Sequence, residues 1–343
     1  MPHPARPTVT LHDVAAAAGV SLSTASRVLG GSSRTVAPEY AEKVLAAAAA
    51  LRYTADASAR AMRRASDSIA LVADDLTTAS IGLVLAAMER EARTVDAFVT
   101  VTSTGGTPPR QLETVRLMCA LRPRALVLTS SRLDADLMEG RLLRELLDYR
   151  RDGGRVVIFG DTDMPFDAIS IDNRASAALV GAYLARAGHR RVTILAGAAE
   201  RANVSARAAG FVDGLSAGGV HGDDIRVVHC DVSRQGGFAA VTRLLAAGPL
   251  DTEALVCAND VIAIGAMSAL RAAGVRVPDE VSVTGFDDIP LATDVTPRLT
   301  TVTVPLARIG RDAIRLALGD HDEPHRTTEH GELVPRDSTR PRA

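Results

Sequence analysis

The sequence predicts a small all-α N-terminal domain carrying a helix-turn-helix, followed by an α/β body of two doubly wound parallel-sheet subdomains. Three observations carry this. Two short helical segments flank Gly19 near the N-terminus. From residue 68 onward, apolar strand-like runs alternate with amphipathic segments. Charge divides the same way: residues 1–65 hold eight basic and four acidic side chains, while the remainder holds 31 basic and 37 acidic ones. A basic front end on an acidic body suits a nucleic-acid-binding arm on a soluble sensor.

The first helix is predicted to start after Thr10, with Thr10 as N-cap and Asp13 at N3 as a capping-box variant. Leu11, Val14 and Ala15 fall on one face. Gly19 supplies the left-handed residue that ends the helix. Ser21 then caps a second helix over Leu22–Leu29, whose buried stripe is Ala25, Val28 and Leu29. Leu22, Ser23, Ser26 and Arg27 fall on or beside its exposed stripe. Hydroxyls near the helix start suit phosphate oxygens, and an arginine can reach a guanine edge or a phosphate. A third helix begins at Pro38, with Val44, Leu45, Ala48 and Leu51 expected to close a three-helix core. On spacing alone, an alanine-rich bundle that binds nothing stays open.

Residues 55–66 form a basic, helix-compatible linker too short to be a stable helix alone. It reads either as a hinge that folds only on DNA or as a plain flexible linker.

In the body, strands are expected at Ile69–Ala73, Phe98–Thr102, Ala125–Thr129, Val156–Phe159, Ile169–Ile171, Val192–Leu195, Arg226–His229, Leu255–Ala258 and Val281–Gly285. So many strands fit two subdomains with a cleft better than one sheet. The expected boundaries are 1–54 for the headpiece and 55–66 for the hinge. One subdomain takes 67–172 with 304–330, and the other takes 173–303 with 331–343. Ligands in such sheets sit at the carboxyl ends of strands. Asp161, Asn259 and Asp287 each follow a strand, and Arg207 lies near a helix start. Arginine, amide and carboxylates together suit a polyhydroxylated ligand. A turn cap at Asp287-Asp288 and a surface ion pair at Arg207 are the competing readings.

Several function classes are excluded or disfavoured. No phosphate loop, nucleophile elbow or metal-ligand spacing appears, so no catalysis, cofactor or metal is expected. Cys119, Cys230 and Cys257 read as reduced thiols. No run of about 18 apolar residues suggests a membrane span, and the N-terminal MPHPARPTVT lacks a signal core, so a cytoplasmic product is expected. A transport binding protein would need such a signal and no headpiece.

The stretches VTLHDVAAAAGVSLSTASRVLGG and EKVLAAAAALRYTADASARAM resemble the headpiece of the lactose-repressor (LacI/GalR) family. In the body, Gly188-His189-Arg190-Arg191-Val192, Arg207-x-x-Gly210-Phe211, Ala258-Asn259-Asp260, Gly285-Phe286-Asp287-Asp288 and Arg336-Asp337-Ser338 match the same family. Residues 74–150 match least. The resemblance implies a periplasmic-binding-protein-like body. It implies a homodimer that represses at a pseudo-palindromic operator and responds to a small effector, a sugar or nucleoside-like molecule. By position, Leu22 and Ser23 would set base preference, Arg27 would contact a base, and Thr10, Ser21, Thr24 and Ser26 would lie at phosphate or base contacts. Ala59 and Met62 would enter the minor groove, with Met62 as the wedge. Ala55 departs from the proline usual there. Asp161, Arg207, Asn259 and Asp287 would bond the effector. Val232 stands where several members carry a stacking aromatic, which points to a smaller ligand or to one held mostly by hydrogen bonds.

Overall fold

The computed structural model describes residues 9–29, 36–51, 53, 66–129, 140–197 and 201–342. It divides into two compact units, Met1–Ser66 and Asp67–Ala343. The hinge residues Ala55, Ala59 and Met62 lie outside the described residues.

The first unit contains α1 (Leu11–Ala18), α2 (Leu22–Leu29) and α3 (Pro38–Ala50). Both arms of the capping box form at α1: Thr10 Oγ1 accepts from the Asp13 N–H, and Asp13 Oδ2 accepts from the Thr10 N–H at 2.8 Å. Gly19 sits at φ 64°, a left-handed conformation in which a side chain would strain the backbone. The Val20 N–H then returns to the Ala15 carbonyl at 3.0 Å, and the chain turns into α2. Ser21 caps α2 through the Thr24 N–H at 3.1 Å. Val14, Ala15, Ala25 and Val44 are buried at the centre, with Val28, Leu29, Ala47, Ala48, Leu51 and Tyr53 around them. Leu45 was expected in this core, but is 56% exposed. The inward stripe of α3 is Val44, Ala47, Ala48 and Leu51. Leu45 lies about 100° round the helix from Val44 and faces out.

In the second unit, β1 (Ser66–Ala73), β2 (Phe98–Ser103), β3 (Pro123–Thr129), β4 (Arg155–Phe159), β5 (Asp167–Ile171) and β11 (Arg326–Glu329) form one sheet in the order β11-β5-β4-β3-β1-β2. The β1–β2, β3–β4, β4–β5 and β5–β11 pairs are parallel. A second sheet, β7-β6-β8-β9, is parallel throughout and contains β6 (Val192–Ala196), β7 (Ile225–His229), β8 (Ala254–Cys257) and β9 (Ser282–Thr284). The short strands β10 (Thr301–Thr303) and β12 (Glu332–Val334) pair antiparallel. The chain therefore passes between the sheets three times: after β5, through β10 towards β11, and back through β12. The sequence reading missed β10, β11 and β12. Each has three or four residues and is largely polar, so none shows an apolar run.

Helices cover both sheets. One face of the two sheets is covered by α4 (Ala79–Arg93), α7 (Asn173–Arg186), α8 (Ala202–Ala217) and α12 (Leu306–Leu318), whose buried residues form one continuous core; a short helix, α11 (Leu291–Asp294), follows β9. The outer face of the six-stranded sheet is covered by α5 (Pro108–Ala120) and α6 (Arg141–Arg151). The outer face of the four-stranded sheet is covered by α9 (Arg234–Ala246) and α10 (Asp260–Ala272). A Cβ at Gly210 or Gly214 would meet a carbonyl oxygen of α7 at 2.1 Å, so α7 and α8 touch backbone to backbone. That accounts for Gly210 in the Arg207-x-x-Gly210-Phe211 motif, and Phe211 is fully buried beside it.

Candidate functional site

In the headpiece, Leu22, Ser23 and Arg27 are exposed, and Leu22 keeps 49% of its surface in solvent. Thr24 and Ser26 are half-buried. These residues project from α2, while Ala25 anchors its opposite face. Ser21 Oγ lies 2.9 Å from Ser23 Oγ and 2.8 Å from Thr24 Oγ1. The three hydroxyls thus hold one another at the helix start, where N–H groups and the helix dipole favour an anion. No ion pair engages Arg27 among the described residues. Thr10 spends its hydroxyl on Asp13 at 2.7 Å, so its first role is to start α1.

In the body, the carboxyl ends of both sheets converge on a cavity of about 160 Å³. The five residues singled out above, Asp161, Arg207, Val232, Asn259 and Asp287, all line it. From the six-stranded sheet come Asp74, Asp75, Thr129, Phe159, Asp161 and Asn173. From the other side come Arg201, Asn203, Arg207, Val232, Asn259 and Asp287.

Arg207 organises the wall. It is only 6% exposed, so the surface ion pair considered above does not apply. Its Nη2 meets Asp287 Oδ1 at 3.0 Å, Nε donates to Asn173 Oδ1 at 2.8 Å, and Nη1 donates to the Ala258 carbonyl at 2.9 Å. The guanidinium stacks 3.8 Å from the centre of the Phe286 ring. Asn173 in turn donates to the Ile171 carbonyl at 3.0 Å. One side chain therefore joins β5, β8 and the β9 loop. Burial raises the Asp287 carboxyl above its ordinary value, against the lowering pull of Arg207 and of the Ser80 hydroxyl. Asp287 has φ 105° and Asp288 has φ 54°. Neither is an ordinary conformation for a non-glycine residue, and packing must hold both. The two carboxylates point apart, since Asp288 pairs with Arg336 at 2.7 Å.

Asn259 Oδ1 accepts from the Ile262 N–H at 3.0 Å and caps α10, while the same side chain lines the cavity. Arg336-Asp337-Ser338 is a clasp and lines no part of the cavity. Arg336 holds Asp288, Asp337 holds Arg298 at 2.7 Å, and Ser338 bonds the Val283 carbonyl at 2.6 Å.

Two features escaped the sequence reading. Asp75, after β1, meets Arg201, at the start of α8, at 3.4 Å, an ion pair spanning the two sheets. Burial opposes ionisation of Asp75, but the Thr77 amide and hydroxyl and the Arg201 charge outweigh it, and the carboxyl lies below its ordinary value. The strand-end rule applied to β1 and β5 would have named Asp74, Asp75 and Asn173. Arg201 has no such signal.

The second is Asp260. It is fully buried, accepts from the Ile289 N–H at 2.8 Å and from the Thr301 hydroxyl at 2.6 Å, and sits where a Cβ on Gly285 would clash at 2.1 Å. Burial first, then the negative charge of Asp287, pushes its carboxyl up to about 8. A raised carboxyl favours folding at low pH. Its contribution is complete below about 4 and is lost as pH rises to about 8, at up to ~1.4 kcal/mol per unit. Asp260→Asn keeps the Ile289 N–H bond through its Oδ1, lets its Nδ2 donate to the Thr301 hydroxyl, and removes the titration. Urea unfolding across pH 5–8 should give a flatter stability profile for the variant. An unchanged slope would place the titrating group elsewhere.

A helix-turn-helix unit that exposes Arg27 beside a cluster of hydroxyls, followed by an α/β body holding a polar cavity at its strand ends, defines a DNA-binding regulator with a ligand-binding domain. Residues 10–56 match the bacterial regulatory proteins of the lacI family, and residues 182–339 match the periplasmic binding protein-like domain. The chain is 32% identical over 318 residues to the HTH-type transcriptional regulator GalR of Escherichia coli (strain K12), spanning 90% of this chain and 88% of that one. It is 29% identical over 342 residues to the HTH-type transcriptional repressor PurR of Vibrio atlanticus (strain LGP32), spanning 96% and 98%. The structure of the Lac repressor dimer bound to operator and the anti-inducer ONPF is similar with a TM-score of 0.77, at 26% identity over 96% of this chain and 99% of that one. This chain belongs to the LacI family of DNA-binding transcriptional regulators. No helix among the described residues is long and apolar enough to cross a membrane.

Proposed function

We propose that the protein is a homodimeric cytoplasmic repressor whose affinity for a pseudo-palindromic operator is set by a small, uncharged, polyhydroxylated molecule in the body cavity. The observation that carries this reading is the buried Arg207–Asp287 pair at the meeting of two sets of strand ends. It presents fixed donors and acceptors to a ligand at little reorganisation cost. Four carboxylates, Asp74, Asp75, Asp161 and Asp287, face two guanidiniums, Arg201 and Arg207. That balance disfavours phosphorylated ligands. A cavity of about 160 Å³ favours a compact one, since drug-sized sites run from roughly 300 Å³ upward. In support, a similar structure (27% identity, TM-score 0.69) is a regulator, CelR, in complex with cellobiose. The lobes are taken as 67–172 with 304–330 and 173–303 with 331–343, and residues 55–66 as the hinge. A second copy fits the open β2 edge, where Phe98 and Val101 are exposed. A ligand that weakens operator binding is bound less tightly on DNA, by the same factor.

Calorimetry of the purified protein against neutral sugars, nucleosides and their phosphorylated forms tests this. Binding by a neutral member, and not by its phosphate, is expected. Silence across the panel would mean that a protein partner takes the effector's place, and the cavity assignment would fall.

A further inference from the structure

Far from the cavity, at the opposite end of β5, three metal-ligating side chains come together. Asp167 is the first residue of β5, His321 lies in the connection after α12, and His325 immediately precedes β11. His321 Nε2 is 3.0 Å from both Asp167 carboxylate oxygens. The two imidazole rings meet edge to face with centres 4.3 Å apart. One ligand atom from each of the three residues lies within 4.8 Å of the others.

We propose that Asp167, His321 and His325 bind one divalent first-row transition metal ion, with zinc as the best fit. Zinc takes imidazole nitrogen and carboxylate oxygen at about 2.0–2.2 Å in tetrahedral geometry, which sets the ligand atoms roughly 3.3 Å apart. The Asp167–His321 spacing is already close to that. His325 is exposed, and its ring makes no hydrogen bond among the described residues, so rotation of its side chain can close the remaining gap. Two imidazoles argue against calcium or magnesium, which take oxygen ligands. Asp167 is buried, and besides His321 it accepts from the His325 backbone N–H at 2.8 Å. Arg155 is the nearby cation. It is held by the His321 carbonyl at 2.7 Å and by Asp320 at 3.9 Å. Gly319 gives the His321 ring its room, since a Cβ there would lie 2.8 Å from Nδ1. Asp167 accepts only, so Nε2 of His321 now carries the proton between them. The metal takes that proton's place on Nε2, the proton moves to Nδ1, and the ring binds as the neutral Nδ1–H tautomer. The remaining coordination position is left to water. Asp167 stands four residues, about 13 Å, from the cavity end of β5. Metal binding therefore fastens the edge strand β11 to β5 without entering the cavity, and it does not depend on what the cavity holds.

The test uses untagged full-length protein stripped with a chelator and titrated with zinc chloride by calorimetry. One equivalent per chain should bind with Kd on the order of 1 μM or tighter. His321→Ala and His325→Ala should each weaken it by at least about tenfold, while His330→Ala should not. Zinc should raise the melting temperature of the wild type, but not of His321→Ala/His325→Ala. Circular dichroism confirms folding, and because the His325 ring is exposed, His325→Ala leaves the core intact. Absence of single-site binding, or undiminished binding in the folded double variant, overturns the proposal.

Discussion

Arg27→Ala is expected to remove specific operator binding while leaving both units folded. Arg27 is exposed on α2 and no described residue pairs with it, so its loss removes no bond to a described residue. A bidentate arginine–guanine contact contributes about 1–3 kcal/mol of discrimination. A dimer uses two copies, so roughly 2–6 kcal/mol is at stake, or about 30-fold to 10⁴-fold in affinity. The measurement is footprinting on a duplex selected from random sequence by the wild-type protein. A base contact predicts that residual binding keeps its salt dependence and loses its sequence preference. A phosphate contact predicts a shallower salt slope, by about one unit per copy. A retained footprint at the selected site would remove Arg27 from the reading surface.

The second large effect is expected at the Arg207–Asp287 pair. Arg207→Ala strands Asp287 among buried groups, and breaking such a pair costs about 3–5 kcal/mol. The same change empties the Asn173 and Ala258 acceptors. Arg207→Ala and Asp287→Ala should both abolish release of operator DNA by the ligand, and both should lower the urea midpoint. Operator binding without ligand should persist at temperatures where the body stays folded. The double variant should cost less than the two single losses combined, because neither charge is then left alone. Simple additivity would mean that the pair is not coupled as its geometry implies. Ligand response in both single variants would place the effector elsewhere.

The architecture was largely legible because it rests on periodicity. Nine apolar runs became nine strands, and both arms of the α1 capping box followed from Thr10 and Asp13 alone. Three kinds of feature were not legible. Strands β10, β11 and β12 are short and polar, and only the long-range fold pairs them. Leu45 differs from Val44 by one helix position, and the burial of α3 is set by packing against α1 and α2. Asp260 sits beside Asn259 in the sequence, yet one side chain lines the cavity and the other is enclosed beneath Gly285. Only tertiary contacts separate two such neighbours. The same holds for Arg336-Asp337-Ser338, a distinctive stretch that proves to be a clasp. The strand-end rule leads to the cavity, and Asn173, two residues past β5, obeys it as well.

The three passages of the chain between the sheets have a mechanical consequence. A single tether would let the two halves of the body twist, slide and tilt independently. Three tethers side by side act as a plate joint, stiff to shear and torsion and compliant mainly to bending. Whatever enters the cavity can then drive essentially one degree of freedom, the angle between the sheets. The Asp75–Arg201 pair lies across that angle, and each side chain is only partly shielded from solvent. Added salt screens such a pair, so the bending rate of this joint, and with it the exchange of ligand, should quicken as ionic strength rises.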